Sequence, residues 1–441
     1  DVADYDQLFD ELFPICRSIT GPGLRDSLKI MARHMPLEIA GVPSGTKVLD
    51  WTVPPEWHIR SARLTDPEGM RVCDFGDSNL CVVNYSIAID QTLPLEGLQP
   101  HLHSIPATPD LTPYVTSYYK ENWGFCLPHN VREALKPGDY QVQIDAEKVN
   151  GELNFAECEL PGTQGDVFLL STYLCHPSMA NNELSGPLVM QGLYHRIAAW
   201  PSRRYTYRFL IAPETIGSIT YLSKMGMNLK DEMMGGLVLT CLGGPQSKLS
   251  YKASRRDRMD RPSAPDVLAR HLASKAPEEW EVRDFTPNGG SDERQFCSPG
   301  FDLPMGQMAR TVYGQYEEYH TSGDTKEFMD TQQIKASVDA LETYLLAMEF
   351  EGQTLRNLSP YGEPQLGRRN LYPNMNSHST RGNSSDEIVD SRTTLMILLN
   401  ILSFGDGTLT LREMADKLGL PVTQMIPAAL ALEREQLLMR E

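Results

Sequence analysis

The chain has 441 residues, enough for two or three domains, with 41% hydrophobic and 22% charged residues. Its net charge of -18 argues against nucleic acid and anionic membrane surfaces, which reward basic patches, and suits an enzyme acting on small substrates. No apolar run is long enough for a membrane-spanning helix, no signal-peptide layout opens the sequence, and the eight cysteines form no CxxC; the expectation is a soluble cytoplasmic protein with free thiols, with a homo-oligomer left open.

In chain order, residues 4–36 read as helical. Tyr5, Leu8, Phe9, Leu12 and Phe13 recur at helical spacing, Pro14 and Gly21–Gly23 interrupt, and a second helix follows from Leu24 to His34. Arg17, Ser18 and Thr20 in the interruption face a site or merely make a helix junction. From 48 to 163 the texture turns to short alternating runs punctuated by Pro, Gly and Asp: 48–53, 57–62, 69–74, 81–86, 141–145 and 151–157. This reads as a small β-rich insertion. Within it, His101 and His103 are a metal-ligand pair or, more simply, a rim feature, and the aromatic residues Tyr114, Tyr118, Tyr119, Trp123 and Phe125 wall a pocket or pack the insert.

From 166 to about 350, strands and helices alternate. Strands are expected at 166–174, 205–212 and 236–242, with another near 280–285, and helices at 187–199, 216–226, 264–274 and 331–350. This is the pattern of a doubly wound α/β core. The expected domains are 1–47 with 164–352 as the core, 48–163 as the insert, and 353–441 as a linker and helical domain. Residues 352–385 read as linker. The end of the chain gives helices at 394–402, 410–418 and 423–434 with a last short strand, the layout of a winged helix, and Thr410 with Glu413 makes a capping box. The helix that would read DNA is nearly devoid of basic residues, which favours a structural or protein-contact role.

In an open α/β sheet, ligands bind beyond the carboxyl ends of the strands. His176 and Glu183 follow the first core strand and Glu214 the second; Asp292 and Glu293 lie in Gly289–Gln295, and His320 in Tyr316–Asp324. Each has an ordinary structural reading taken singly. Their recurrence at successive strand ends suggests a catalytic zinc site, which takes imidazole and carboxylate ligands and leaves a position for water.

The order His176, Asn182–Gly186, Glu214, His320–Thr321 resembles the zinc-dependent aminopeptidases. The segments Ile15–Gly21, Cys175–Ser178, Pro213–Ser218 and Gly290–Gln295 resemble, more narrowly, a group of bacterial aminopeptidase-like proteins with an inserted β domain and a C-terminal winged helix. The resemblance implies an aminopeptidase-like doubly wound α/β core and hydrolysis of an amide bond in a short peptide or aminoacylated small molecule. It also marks departures. Asn182 stands where two-zinc enzymes have a bridging Asp, Thr215 where they have a second Glu, and Cys241 is the lone metal-capable residue after the third strand. One zinc is therefore expected, on His176, Glu183 and His320, with Asn182 and Cys241 as weaker candidates. Glu214 is the expected general base or a fourth ligand, and Asp292, Glu293, Arg294 and Glu318 are expected to contact substrate. A non-hydrolytic acyl or aminoacyl transferase or cyclase, and a regulatory protein using the winged helix, are the rival readings.

Overall fold

The structure, a computed structural model, describes residues 5–372 and 385–441. It forms two compact units, residues 1–263 with 283–339 and residues 264–282 with 340–441.

Seven strands of the first unit belong to its main sheet: β1 (Glu38–Pro43), β2 (Glu152–Leu160), β3 (Val167–Tyr173), β4 (Thr206–Ala212), β5 (Met233–Leu239), β6 (Leu249–Lys252) and β7 (Met305–Ala309). They run in the order β1-β2-β4-β3-β5-β7-β6. The pairs β4–β3, β3–β5 and β5–β7 are parallel, while β1–β2, β2–β4 and β6–β7 are antiparallel. Every residue of β3 is buried, as expected of a central strand covered on both faces. Helices α1 (Ser185–Ala198) and α2 (Ile216–Glu232) follow β3 and β4. The α/β core is thus as the sequence suggested, with aligned carboxyl ends at Tyr173 and Ala212.

Two expectations for the insert are corrected. The run 151–157 is not part of a separate β domain; as β2 it enters the main sheet beside β4. The run 81–86 is a short 3-10 turn, Asn79–Cys81, continuing into irregular chain. Its backbone is paired by isolated bridges, with Val83 N donating to the Gly124 carbonyl at 2.9 Å and Asn84 N to the Val115 carbonyl at 2.8 Å, and the Asn84 side chain links it to the N-terminal loop, accepting from Ser18 Oγ at 2.7 Å and donating to the Arg17 carbonyl at 2.9 Å. The expected runs 57–62, 69–74 and 141–145 do enter one four-stranded antiparallel sheet, ordered Arg71–Asp74, Glu56–Thr65, Asp139–Val149, Ile89–Pro94, in which Ile89–Pro94 was not expected, while 48–53 instead folds on itself as the separate pair Lys47–Val48 and Trp51–Thr52. Strand Asp139–Val149 shows the alternation that betrayed it, with Tyr140, Val142, Ile144 and Ala146 buried.

In the second unit, strand Thr354–Asn357 is the centre of a three-stranded sheet between Asp406–Thr410 and Leu438–Arg440. It was expected to be linker, and part of that linker, 373–384, lies outside the described residues. Helices Ser385–Phe404, Leu411–Leu418 and Ile426–Arg434 complete a winged helix. Both hydrogen bonds of the Thr410–Glu413 capping box are present. Among the described residues, no helix is long and apolar enough to cross a membrane.

Candidate functional site

β3 ends at Tyr173, and three residues later His176 turns into the interior, 4% exposed. The chain then makes a π-helical turn, Ala180–Leu184, before α1 begins. Such turns insert an extra residue and re-aim side chains, and they recur at functional sites. This one carries Glu183 back under His176. Glu183 Oε1 accepts from the His176 backbone N–H at 2.9 Å, and Oε2 lies 2.6 Å from His176 Nδ1. Asp324 holds the turn from outside: its two carboxylate oxygens accept from Asn181 N at 2.7 Å and Asn182 N at 2.9 Å. Behind Glu183 is Arg17, fully buried, with Nε 3.7 Å from Glu183 Oε1 and donating to the His176 carbonyl at 2.9 Å.

With Nδ1 occupied, the outward atom of the ring is Nε2, which lies 3.8 Å from Glu214 Oε2. Glu214 follows β4, and its side chain is 28% exposed, so it opens to solvent as His176 does not. Ser291 Oγ donates to Glu214 Oε1 at 2.6 Å and leaves Oε2 facing the imidazole. Burial raises the Glu214 pKa, with His176 and Ser291 pulling the other way. For His176, burial opposes the charge, but Cys175 and Glu183 outweigh it and lift the imidazole well above its ordinary range.

His320 comes from the loop after β7, with a left-handed backbone (φ 54°). Its ring centroid is 5.3 Å from that of His176. It stacks on Tyr319 at 4.0 Å, and Tyr114 packs edge-on to it at 5.3 Å while also reaching His176 at 5.1 Å. Burial, and then the neighbouring His176, hold the His320 pKa down to about 3, so it presents a neutral ring. The insert supplies this wall: Tyr114 N donates to the His320 carbonyl at 2.7 Å, and Thr112 and Ser322 exchange hydrogen bonds across the same junction.

The other expected residues divide clearly. Asp292 is buried beside the site, with Oδ1 accepting from Thr215 N and Ser218 Oγ at 2.7 and 2.9 Å. Its Oδ2 has no hydrogen-bond partner among the described residues, and burial followed by the Glu214 charge pushes its pKa up to about 8. Glu293 is fully buried and engaged: Lys252 Nζ, Gln307 Nε2 and Ser291 N all donate to it, so no oxygen is left for a substrate. Arg294 turns back onto the carbonyls of Ser291 and Pro287. Glu318 is half-buried, and its carbonyl closes the turn to Thr321. Asn182 and Cys241 do meet, at 3.9 Å, near Tyr316. The Asn182 Nδ2 has no hydrogen-bond partner among the described residues, and burial pushes the Cys241 thiol up to about 12, so neither offers a negative charge.

Two positions near His176 offer donors for a cation. Cys175, His176 and Glu183 present atoms within 4.8 Å of one another. There, however, Nδ1 and Oε2 already share a short hydrogen bond, Arg17 brings a positive charge, and burial pushes the Cys175 thiol up to about 11. On the Nε2 side, Glu214 Oε2 lies 3.8 Å from Nε2 and the His320 ring centroid 5.3 Å from that of His176; the donor types there are two imidazoles and a carboxylate, though among the described residues only Cys175, His176 and Glu183 bring three ligand atoms within 4.8 Å of one another. That donor chemistry fits a divalent ion. The sequence reading missed Ser291, Tyr319 and Asp324, and it left Arg17 and Tyr114 open between a site role and local packing. The signal for Arg17 was a lone basic residue within an otherwise small and apolar motif, Ile15–Gly21.

The description "Domain of unknown function (DUF4910)" belongs to the family that matches residues 6–351. A Clostridium acetobutylicum protein named for polysaccharide biosynthesis and an aminopeptidase-like domain is 42% identical over 433 residues, covering 98% of this chain and 95% of its own length. The chain belongs to the DUF4910 family. Residues 353–440 match a winged helix-turn-helix family. A crystal structure from Clostridium acetobutylicum, named provisionally as a peptidase, superposes on the DUF4910 chain with a TM-score of 0.84 at 38% identity, covering 99% of this chain and 96% of that one. A zinc aminopeptidase from Bacillus subtilis matches with a TM-score of 0.56 at 13% identity over 78% of this chain and 92% of its own, a likeness of fold. The DUF4910 core therefore has an aminopeptidase-like fold.

Proposed function

We propose that this protein is a metal-dependent hydrolase that cleaves an amide bond of a short peptide or an aminoacylated small molecule. The observation that carries the reading is the arrangement around His176 Nε2: Glu183 clamps the opposite ring nitrogen, while Glu214 Oε2 stands 3.8 Å from Nε2 and the His320 ring centroid lies 5.3 Å from that of His176. His176 and His320 would hold one zinc ion, and Glu214 borders the same position. When bound, such an ion activates water and polarises the scissile carbonyl.

The chain's own residues supply the rest. Glu183 keeps the proton on Nδ1 and the Nε2 lone pair outward. Glu214, with Oε1 fixed by Ser291, takes the proton of the attacking water at Oε2 and passes it to the leaving amine. Tyr114 and Tyr319 pack the imidazoles and limit the water that reaches them. In this assignment Glu183 orients His176 and is not a ligand, and Asn182 and Cys241 lack the charge a second ion needs. Asp292, beside Glu214, is the remaining group for a substrate amine.

The name of the Clostridium acetobutylicum relative joins an aminopeptidase-like domain to polysaccharide biosynthesis. Acylated amino sugars therefore belong in the substrate panel beside aminoacyl amides and dipeptides. Zinc content and turnover of the purified protein test the reading. The expected result is near one equivalent of zinc, with Glu214→Gln retaining the metal and losing about 10²–10⁴-fold in turnover. Less than about a tenth of an equivalent after zinc loading, together with unchanged turnover in Glu214→Gln, would overturn it. Incubation with amine acceptors tests for transfer: an aminoacyl-amine product in place of free acid would favour the transferase.

A further inference from the structure

The segment Ile15–Gly21 wraps into the core and buries an arginine that the hydrolytic steps do not use. Arg17 is held at both ends. Its Nη1 donates to the Leu12 carbonyl at 2.6 Å and reaches Ser27 Oγ at 3.3 Å, while Nε donates to the His176 carbonyl and faces Glu183. The path of the chain is built for this. A Cβ on Gly23 would run into the Cys16 carbonyl, so only glycine lets the segment lie so close, and Ser27 is itself fixed by the Gly23 carbonyl at 2.8 Å.

A buried arginine–glutamate pair is a poor way to gain stability. Removing two charges from water costs several kcal/mol per ion, and a well-packed apolar pair of the same volume often does as well or better. Here the cost is greater still, because Arg17 Nη2 finds no hydrogen-bond partner among the described residues. What the pair does provide is orientation. Both oxygens of Glu183 are spent on His176, one on its backbone and one on its ring, and Arg17 grips the same backbone from the carbonyl side.

We propose that Arg17 is a positioning residue for the metal site: through Glu183 and the His176 carbonyl it fixes the imidazole so that Nε2 points at the ion's position. This rests on the metal-hydrolase reading. Partners of metal-bound histidines that set ring orientation typically contribute roughly 10–100-fold to metal affinity. Arg17 would do so from one layer further out, anchoring the site to the N-terminal helices.

Zinc dissociation constants of the full chain, by competition with a chromophoric chelator, test the proposal in a double-mutant cycle of Arg17→Lys and Glu183→Gln. Lysine keeps the charge but cannot donate from Nε to the carbonyl while also reaching Leu12. Each single change is expected to weaken zinc binding by roughly 10-fold or more, and the two together by much less than the product, because both act through one ring. Arg17→Ala should regain affinity when guanidinium ion is added at millimolar concentration. The cobalt(II) visible spectrum reads the same ligand geometry. Should Arg17→Ala not fold, the lysine cycle alone decides. Equal zinc affinity in the folded Arg17→Lys protein, or strictly additive effects, overturns the role of Arg17 while leaving the metal reading intact. No zinc uptake by the unchanged chain overturns the metal reading, and the role of Arg17 with it.

Discussion

At the scale of single residues, the proposed zinc position depends on which ring nitrogen of His176 faces Glu214, and Glu183 decides it by meeting Nδ1 at 2.6 Å. His176 and Glu214 follow strands that are legible from composition, whereas His320 follows β7, Met305–Ala309, which was not among the expected strands. Glu183 was expected as a ligand because the resemblance places a bridging Asp at Asn182, one residue before it. The π turn delivers its carboxylate to Nδ1, where the proposed role is to orient the ring, and nothing in the spacing says which side of an imidazole a neighbour will meet. Arg17 was not assignable, since its partners are 159 and 166 residues away. The same is true of Glu56, which is nearly buried and takes hydrogen bonds from Arg25, His58 and the backbone of Glu152. Burial raises its pKa, but these partners outweigh it and bring it down from 4.5 to about 2. The sign follows. A depressed carboxylate contributes stability that is complete above about pH 4.5 and is lost as pH falls toward 2. Urea unfolding at pH 3 and pH 6 should show a larger acid loss in the unchanged protein than in Glu56→Gln, and equal losses would remove Glu56 from the account.

At the scale of elements, β3 was legible because an all-apolar run admits few fates in an α/β protein. The alternating strand Asp139–Val149 was legible for the complementary reason. Segment 81–86 misled because its alternation is real while its backbone pairs with residues 115–125 only through isolated bridges and not along a ladder. The start of α1 shows how tightly the site is built. A Cβ on Gly186 would collide with Thr172 Oγ1 on β3 and with the Leu239 carbonyl at the end of β5. Both atoms are held, because Thr172 Oγ1 itself donates to the Leu239 carbonyl at 2.9 Å. Gly186→Ala is expected to destabilise the protein by about 1–3 kcal/mol, as overpacking does, and to lower turnover by shifting the π turn. A denaturation midpoint and activity both equal to those of the unchanged protein would show that the packing there has slack.

At the scale of the molecule, the α/β core and the winged helix were both readable, the first from alternation of elements and the second from its caps and turns. The central strand of the winged helix was not, since Thr354–Asn357 sits in a segment rich in Asn, Ser, Gly and Pro. A winged helix invites the thought of DNA. Helix Ile426–Arg434 carries one basic residue, Arg434, beside Glu433, and Arg440 is paired with Glu433 at 2.6 Å. With a net charge of -18 over the chain, the full protein should give no salt-dependent shift of duplex DNA at about 50 mM salt, where phosphate contacts are strongest; a shift there would assign the domain to nucleic acid after all. The central claim concerns the other unit, and an anomalous difference map at the zinc edge from zinc-loaded crystals tests it most directly. One peak between His176 Nε2 and His320, beside Glu214, is the predicted result. A peak on the Nδ1 side with Cys175 and Glu183, two peaks reaching Asn182 and Cys241, or no peak at all would contradict it.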